Sequence, residues 1–461
     1  MSIGDTIAAI ATPPGTGGIG VIRVSGPRAE DIARLLFRSS HHVRDFKSRR
    51  LYHGDIVAAG QSTVIDEVLI VLMRKPNSYT GEDTLEIYCH GGLLIMESIL
   101  GEVARAGVRL AEPGEFTKRA FLNNRIDLSQ AEATADMIAA RTRRGLDLAL
   151  SHLKGNLARK IEALHSPLLD ILAALEVSID FTEEELGEAS PPAAYDALEA
   201  VVADIERLLA TSPEGIICRQ GASVVIAGRP NVGKSSLLNR LLGEQRAIVT
   251  PIPGTTRDFI EETVDIRGVP VRLMDTAGIR HPENIIEAEG IRRVWQKSEG
   301  ADVVMVLLDG SEPLRDEDTE ILEGNRTRPV LVVVNKVDLA PGLDGDVLRS
   351  HMSGEASGPL WISAKFGQGI DELIEVLGCL LLHDQAEREP EVRIANIRHQ
   401  AALEEALRSI RQAQSSIREG HSPEFVAFDI QQAIAGLDLI TGRSVDEQVL
   451  DRIFSTFCIG K

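Results

Sequence analysis

Apolar positions along the chain change their period twice, and the changes divide it into blocks. Up to about residue 123, short runs rich in Ile and Val alternate with joins punctuated by glycine and proline. Runs at 5–11 and 20–24 flank Pro13-Pro14-Gly15-Thr16-Gly17-Gly18, and further runs lie at 54–57, 67–73 and 84–89, with an amphipathic stretch at 93–106. Strand-sized runs with one helix-sized stretch predict a mixed α/β domain. From Asp127 the spacing becomes helical: Leu128, Ala131, Ala135 and Ile138, then Leu146, Leu150, Leu153, Leu157 and Ile161, recur at three- and four-residue steps. Stretches at 166–179 and 195–209 continue it, with Glu183-Glu184-Glu185 and Pro191-Pro192 read as a loop between them.

Near Cys218 strand and helix begin to alternate, and they do so until about Leu382. Helices return at 394–418, 424–439 and 445–457. Two helical blocks therefore flank an α/β block. The economical expectation is one helical domain with the α/β unit inserted, although two separate helical domains would give the same pattern. The expected domains are 1–123, 124–215, 216–385 and 386–461.

Composition narrows the class. The 461 residues leave room for about three domains. Lys+Arg at 49 against Asp+Glu at 69 gives a net charge of −20, which excludes bulk positive charge as the means of holding nucleic acid. An RNA partner would need a confined site or a second protein. Aromatics at 4% argue against stacking platforms for single strands. Apolar runs such as 303–308 are strand-sized, far short of the ~18 residues of a membrane helix. Residues 1–15 lack a basic n-region and break at Pro13-Pro14, so no secretory signal is expected. Cys89, Cys218, Cys379 and Cys458 form no C-x-x-C pair, which argues against a disulfide framework or zinc knuckle. A cytoplasmic, acidic, multidomain protein is expected.

Four motifs carry the chemistry. Gly228-Arg229-Pro230-Asn231-Val232-Gly233-Lys234-Ser235 matches G-x-x-x-x-G-K-[ST] between a strand at 223–227 and a helix at 235–242. Its backbone N–H groups, with Val232, Gly233 and Ser236 in the cradle, suit phosphates; Lys234 supplies charge and Ser235 a hydroxyl for Mg²⁺. Asp275-Thr276-Ala277-Gly278 ends a strand at 271–274, setting a carboxylate near the metal and a glycine beside the γ-phosphate. Asn335-Lys336-Val337-Asp338 ends a strand at 330–334, and the Asp338 carboxylate can accept both N1–H and the 2-amino group of guanine. Adenine would leave it unpaired, which favours GTP over ATP. Ser363-Ala364-Lys365, at the end of 360–363, suits backbone donation to guanine O6. Gly254-Thr255-Thr256-Arg257-Asp258 lies where a switch loop belongs, with Thr256 a candidate Mg²⁺ ligand. Where Ras-type domains place a water-orienting glutamine, this chain has Ile279, so another group must orient the water; Glu283, Glu287 and Glu289 are candidates, with Arg280 as a nearby charge.

With Asn231, the 254–258 segment and the missing glutamine, the sequence resembles the potassium-activated GTPases. With Ala11-Thr12-Pro13-Pro14-Gly15, Gly17-Gly18 and the terminal Cys458-Ile459-Gly460-Lys461, it resembles the MnmE (TrmE) family of tRNA-modification GTPases from end to end. The resemblance implies an N-terminal tetrahydrofolate-binding domain that forms a homodimer, a helical domain, and a GTPase domain inserted into the helices. It implies action with an FAD-dependent MnmG-type subunit on C5 of the wobble uridine of certain tRNAs, adding an aminomethyl or carboxymethylaminomethyl group from a folate one-carbon unit. It implies K⁺ ligands at Asn231, Thr250, Ile252 and Thr255, and a water-positioning role for Glu287. The folate residues it implies are Arg23, Glu86, Arg125 and Lys461, with Arg125 standing where some members carry lysine.

Several signals are set aside. Gly15-Thr16-Gly17-Gly18-Ile19-Gly20 fits G-x-G-x-x-G but leads into a strand, so a turn between strands is the expectation. The basic runs 44–50 and 141–144 read as solvated surface, and His41-His42 lacks partners at ligand spacing. Cys458 reads as a buried, inert cysteine unless the tail brings it to the folate. The main rival is a regulatory GTP switch acting on RNA or ribosome assembly without modification. It gives no reason for the N-terminal set or the C-I-G-K end. A filament- or membrane-type GTPase is disfavoured by the lack of a basic amphipathic helix.

Overall fold

The structure, a computed structural model, describes residues 4–39, 43, 45–59, 63–180, 191–244, 262–275, 300–324, 329–351, 358–382 and 392–461. It divides into two compact units, Met1–Ala135 with Leu437–Lys461, and Asp136–Gly436.

In the first unit a seven-stranded sheet runs β1 (Ile7–Ile10), β2 (Gly17–Ser25), β3 (Phe37–Arg38), β4 (Leu51–Val57), β5 (Val64–Met73), β6 (Thr84–Gly91) and β7 (Arg109–Leu110), ordered β3-β4-β5-β6-β2-β1-β7. All neighbours are antiparallel except β1 and β7. The glycine-rich turn enters β2 directly and opens no helix, as expected. Helices α1 (Ala29–Leu36) and α2 (Leu93–Arg105) bury Ile32, Leu36, Met96, Ile99 and Val103 with Ile22, Ile70, Leu85 and Ile87 of the sheet. Helix α1 was not anticipated. Its buried set, 29, 32, 33 and 36, has the helical period but spans only two turns.

Helix α3 (Glu115–Leu122) carries a buried charge network. Arg119 reaches the Asp5 carboxylate at 2.5 Å, Glu115 at 3.0 Å and Glu82 at 3.2 Å, while Arg109 pairs with Glu115 at 2.6 Å. Burial pushes the Glu115 carboxyl up, but donors from Arg109, the Glu112 N–H and Arg119 overcome it and hold it below the usual range. The network ties the 78–83 loop, β1, β7 and α3 into one frame. Later in the unit, α4 (Leu128–Ala139) presents Leu128 and Ala131 to Leu450, Phe454 and Phe457 at the chain's end.

In the second unit the helical period becomes α5 (Arg143–Leu153), α6 (Asn156–Asp180), α7 (Pro191–Leu209) and α8 (Ser212–Gln220). Two expectations are corrected here. Leu157 and Ile161 share one helix with the 166–179 stretch, running through Pro167, because Leu157, Ile161, Leu164, Leu168 and Ile171 keep one buried face across it. Pro191-Pro192 open α7 and do not lie in a loop; a helix's first turn has no intrahelical N–H bonds for proline to lose. Glu183 to Glu185 lie outside the described residues.

Strands β8 (Ala222–Ala227), β9 (Glu262–Ile266), β10 (Val269–Asp275), β11 (Val303–Asp309), β12 (Val330–Asn335) and β13 (Leu360–Trp361) form a six-stranded sheet ordered β13-β12-β11-β8-β10-β9. It is parallel except at β9, and β8 and β11 are buried throughout because the sheet is covered on both faces. The covering helices are α9 (Lys234–Glu244), α10 (Asp316–Gly324), α11 (Gly345–His351) and α12 (Ile370–Leu382). The last strand is shorter than the expected 360–363; Ser363 instead makes an isolated bridge to Gln368. Beyond it come α13 (Ile397–Arg418) and α14 (Pro423–Thr441), and in the first unit α15 (Glu447–Phe454).

Helix α13 packs along α7, with Gln414 donating to Glu199 at 2.8 Å and the Arg418 guanidinium 4.8 Å from the Tyr195 ring. The helices on either side of the α/β block thus join, as the insertion reading requires. No helix among the described residues is long and apolar enough to cross a membrane.

Candidate functional site

The phosphate loop forms where β8 hands the chain to α9. Gly228 and Gly233 take φ of 152° and 103°, and Asn231 takes 66°, a left-handed value that asparagine tolerates better than most residues. A Cβ on Gly233 would stand 2.2 Å from Asn335 Nδ2, so only glycine permits the loop to lie against β12. Lys234 Nζ donates to the carbonyls of Gly228 and Arg229, each at 2.7 Å, folding across the loop at the head of α9. Val232 is buried beneath it, while Asn231, Ser235 and Ser236 are exposed. This is a ring of backbone and hydroxyl groups open to a ligand at a helix N-terminus, the geometry that suits phosphate.

Asn335 links this loop to the base side. Its Nδ2 donates to the Val232 carbonyl and its Oδ1 accepts from the Ala364 N–H, both at 2.9 Å. The fully buried Ser363 donates to Asp338 Oδ1 at 2.6 Å and so orients an otherwise exposed carboxylate. Arg240 of α9 donates to the carbonyls of Ala364 and Lys365 at 3.1 and 2.6 Å. Lys365 lays its ammonium 5.0 Å from the Phe366 ring. Lys336 donates to Asp309 Oδ2 at 2.5 Å. Burial pushes the Asp309 carboxyl up, yet Lys336 and the two Ser311 donors outweigh it and hold it low. Three segments far apart in sequence therefore meet at the C-terminal edge of one parallel sheet, where open α/β sheets bind ligands.

Asp275 closes β10 in register with Ile226 of β8, and only its backbone is described. Thr250, Ile252, Thr255, Thr256, Thr276, Ala277, Gly278 and Glu287 lie outside the described residues, as do Arg280, Glu283 and Glu289.

A second cluster forms in the first unit. The antiparallel register of β2 and β6 sets Arg23 opposite Glu86. Arg23 Nε and Nη2 reach Glu86 Oε1 at 2.9 Å, and its Nη1 donates to the Gly460 carbonyl at 3.2 Å. The guanidinium lies 5.2 Å from the Tyr79 ring centre and 5.7 Å from that of Phe116. Tyr88, two residues along β6 and on the same face, donates to Glu86 Oε2 at 2.7 Å; burial and that carboxylate push its hydroxyl up to about 12. Arg125 donates to the Ser78 carbonyl at 3.3 Å, next to Tyr79. Gly460 is buried with φ of 92°, and a Cβ there would stand 2.4 Å from the Ile10 carbonyl. The tail is thus pressed against the end of β1, with Lys461 half-buried beyond it. Cys458 is exposed, contrary to the buried cysteine expected of a lone helix thiol, because the chain has left α15 and turned there.

Sequence reading missed Asp309, Arg240, Ser363's hold on Asp338, and the rings around Arg23. Asp309 left a signal, a carboxylate ending an all-apolar strand; the others depend on register and packing. The run 141–144 is not a bare cationic patch: Arg143 pairs with Asp147 at 3.1 Å, Arg144 with Glu214 at 2.5 Å, and Arg141 donates to Thr263. His41 and His42 lie outside the described residues, as does Arg44 of the first basic run.

Comparison with known families agrees with this geometry. Residues 128–458 match the family model described as the MnmE helical domain, and residues 6–125 match that of the GTP-binding protein TrmE N-terminus. The tRNA modification GTPase MnmE of Syntrophus aciditrophicus is 55% identical over 457 residues, covering 99% of each chain. Those of Heliobacterium modesticaldum and Alkaliphilus oremlandii are 46% and 45% identical, covering 100% of each chain. On the phosphate loop, the base-side loop and these end-to-end matches, the chain belongs to the tRNA modification GTPase MnmE family.

Proposed function

We propose that the chain hydrolyses GTP within the enzyme complex that adds an aminomethyl or carboxymethylaminomethyl group to C5 of the wobble uridine in certain tRNAs, using a one-carbon unit from a tetrahydrofolate derivative. Its partners are tRNA, an FAD-dependent MnmG-type subunit and a second copy of itself. The division into 1–123, 124–215, 216–385 and 386–461 belongs to this reading, the first part binding folate and dimerising.

In the GTPase reaction the loop N–H groups and Lys234 hold the β- and γ-phosphates, and Asp338 with the 363–365 loop selects guanine. Mg²⁺ held by Ser235 and Thr256, and K⁺ held by Asn231, Thr250, Ile252 and Thr255, supply positive charge against the negative charge that develops on the phosphate oxygens. Asn231 fits that role in being exposed on the loop, at a left-handed backbone position. Asp275 and Gly278 sense the metal and γ-phosphate, and Glu287 orients the attacking water, which does not require it to take the proton.

The observation that carries the modification reading is the joining of Arg23 to both Glu86 and Gly460, which brings the terminal C-I-G-K segment to a carboxylate, a cation and two aromatic rings. That donor set fits a folate: a carboxylate for the pterin's N–H edge, and Arg23, Arg125 and Lys461 for its anionic groups. The one-carbon unit that folate carries supplies the methylene; the chain's part is to bind and orient it.

The test is mass spectrometry of tRNA nucleosides from cells lacking the protein, restored with the intact chain or with one lacking Lys461. Loss of C5-aminomethyl-type wobble uridines, rescued by the intact chain alone, is expected. Unchanged nucleosides would overturn the modification role and favour a regulatory GTP switch acting on RNA or ribosome assembly.

A further inference from the structure

Arg229 sits second in the phosphate loop, where an arginine reads as a cation aimed at phosphate. Its side chain is 7% exposed and is spent elsewhere. Nε donates to Asp318 Oδ1 at 2.8 Å, and Nη2 lies 3.4 Å from Glu312 Oε2. Asp318 is 2% exposed in the first turn of α10, where its other oxygen accepts the Arg315 N–H at 3.2 Å. Glu312 is itself braced by Arg315 at 2.9 Å. At the other end, the Arg229 carbonyl is one of the two that receive Lys234 Nζ. One residue therefore grips a buried carboxylate with its side chain and the loop lysine with its backbone.

We infer that Arg229 and Asp318 form a positioning pair for GTP binding: the buried ion pair fixes the phosphate loop, and through it Lys234, so that the β-phosphate meets a cradle already formed. The pair joins the loop to the 312–318 segment, which carries none of the nucleotide-binding motifs. Arg229 touches no phosphate in this scheme. A lysine in its place would keep the charge but lose the fixed fork that reaches both carboxylates. Preorganisation of this kind shows in affinity for the ligand part the loop encloses. Affinity for the base, held by Asp338 and the 363–365 loop, is left alone.

The test compares full-length wild type with Arg229→Lys, Arg229→Met, the isosteric Asp318→Asn and the double variant Arg229→Met/Asp318→Leu, reading GDP and GMP affinity by competition against a fluorescent GDP. GDP engages the loop with its β-phosphate and GMP does not. Each single variant should lose about tenfold in GDP affinity with GMP affinity within about twofold of wild type. Removing one partner of a buried pair is destabilising, whereas removing both can restore stability. The double variant should therefore recover the wild-type melting temperature while its GDP affinity stays low. Recovery of GDP affinity along with stability, a parallel fall for GDP and GMP, or unchanged GDP affinity in Asp318→Asn would each overturn the inference. Wild type that binds no GDP would instead defeat the GTP reading on which the inference rests.

Discussion

Ser363 buries its hydroxyl completely in order to aim one carboxylate oxygen of Asp338. A hydrogen bond to a charged acceptor is worth about 1.5–3 kcal/mol. Ser363→Ala should accordingly weaken GTP binding by at least about tenfold, by nucleotide titration, with hydrolysis at saturating GTP little changed. Asp338→Asn should exchange guanine for xanthine: the amide can donate to the 2-oxo group that the carboxylate repels, so XTP should gain as GTP loses. Persistent GTP preference in that variant would remove Asp338 from base selection. Glu287→Ala should bind GTP with near wild-type affinity yet turn it over about 100-fold more slowly, and unimpaired turnover would end its proposed role. The motif residues of the nucleotide site were legible because each lies in a short local pattern, whereas Asp309 and Arg240 lie outside the motifs and were not. Arg23 and Glu86, 63 residues apart, were legible only through family resemblance, since nothing local says which strand lies beside which.

Among the elements, α3 shows most clearly how a buried network organises a fold. Arg119 holds Asp5 at the head of β1, Glu82 in the loop before β6 and Glu115 one turn back. Arg119→Met would leave Asp5 and Glu115 to Arg109 alone and strip Glu82 of its guanidinium partner, and a loss of about 3 kcal/mol in unfolding free energy is expected by denaturant titration. The pH dependence follows from the same contacts. Asp5 and Glu115 have carboxyls held below their usual values despite burial, by Arg109 and Arg119. Their contribution is thus fully present above the unfolded carboxylate pKa of about 4 and is lost as pH falls through the lower folded values. Melting temperature should drop steeply below about pH 4 in wild type and less steeply in Arg119→Met. At this scale most helices and strands were readable from period, but the two-turn helices α1 and α3 and the two-residue strands β3 and β7 were too short to be. Pro191-Pro192 misled because a local breaker signal does not reveal a helix start, and the separate stretches read on either side of residue 165 hid one continued buried face.

Across the whole molecule, the first unit takes its core from both ends of the chain. Phe454 and Phe457 pack with Leu128 and Phe121, and Lys118, 5% exposed, pairs with Asp451 at 2.5 Å. Cutting the chain after residue 436 should therefore destabilise residues 1–135, seen as lost hydrogen-exchange protection in 115–135, which a peptide of 437–461 should restore. Hydrolysis by the assembled protein should depend on the cation. At equal ionic strength, GTP turnover in Na⁺ should be at least about tenfold below that in K⁺, and equal rates would overturn the K⁺ assignment. A net charge of −20 further predicts that tRNA binding depends on a confined contact or a second protein, not on overall attraction.

What the sequence determined alone was whatever is encoded locally. The period of apolar residues marked most elements and the changes between blocks, and the order of four short motifs specified a guanine-nucleotide site. Tertiary structure decided which distant residues meet. Strand register made Arg23 and Glu86 neighbours, the turn after α15 delivered Gly460 to them, and the approach of α10 to the phosphate loop paired Arg229 with Asp318. The physical reason is the same in each case. Local pattern reports which face of an element is apolar, but partners across a sheet or core are chosen by the joint packing of segments that the sequence keeps apart.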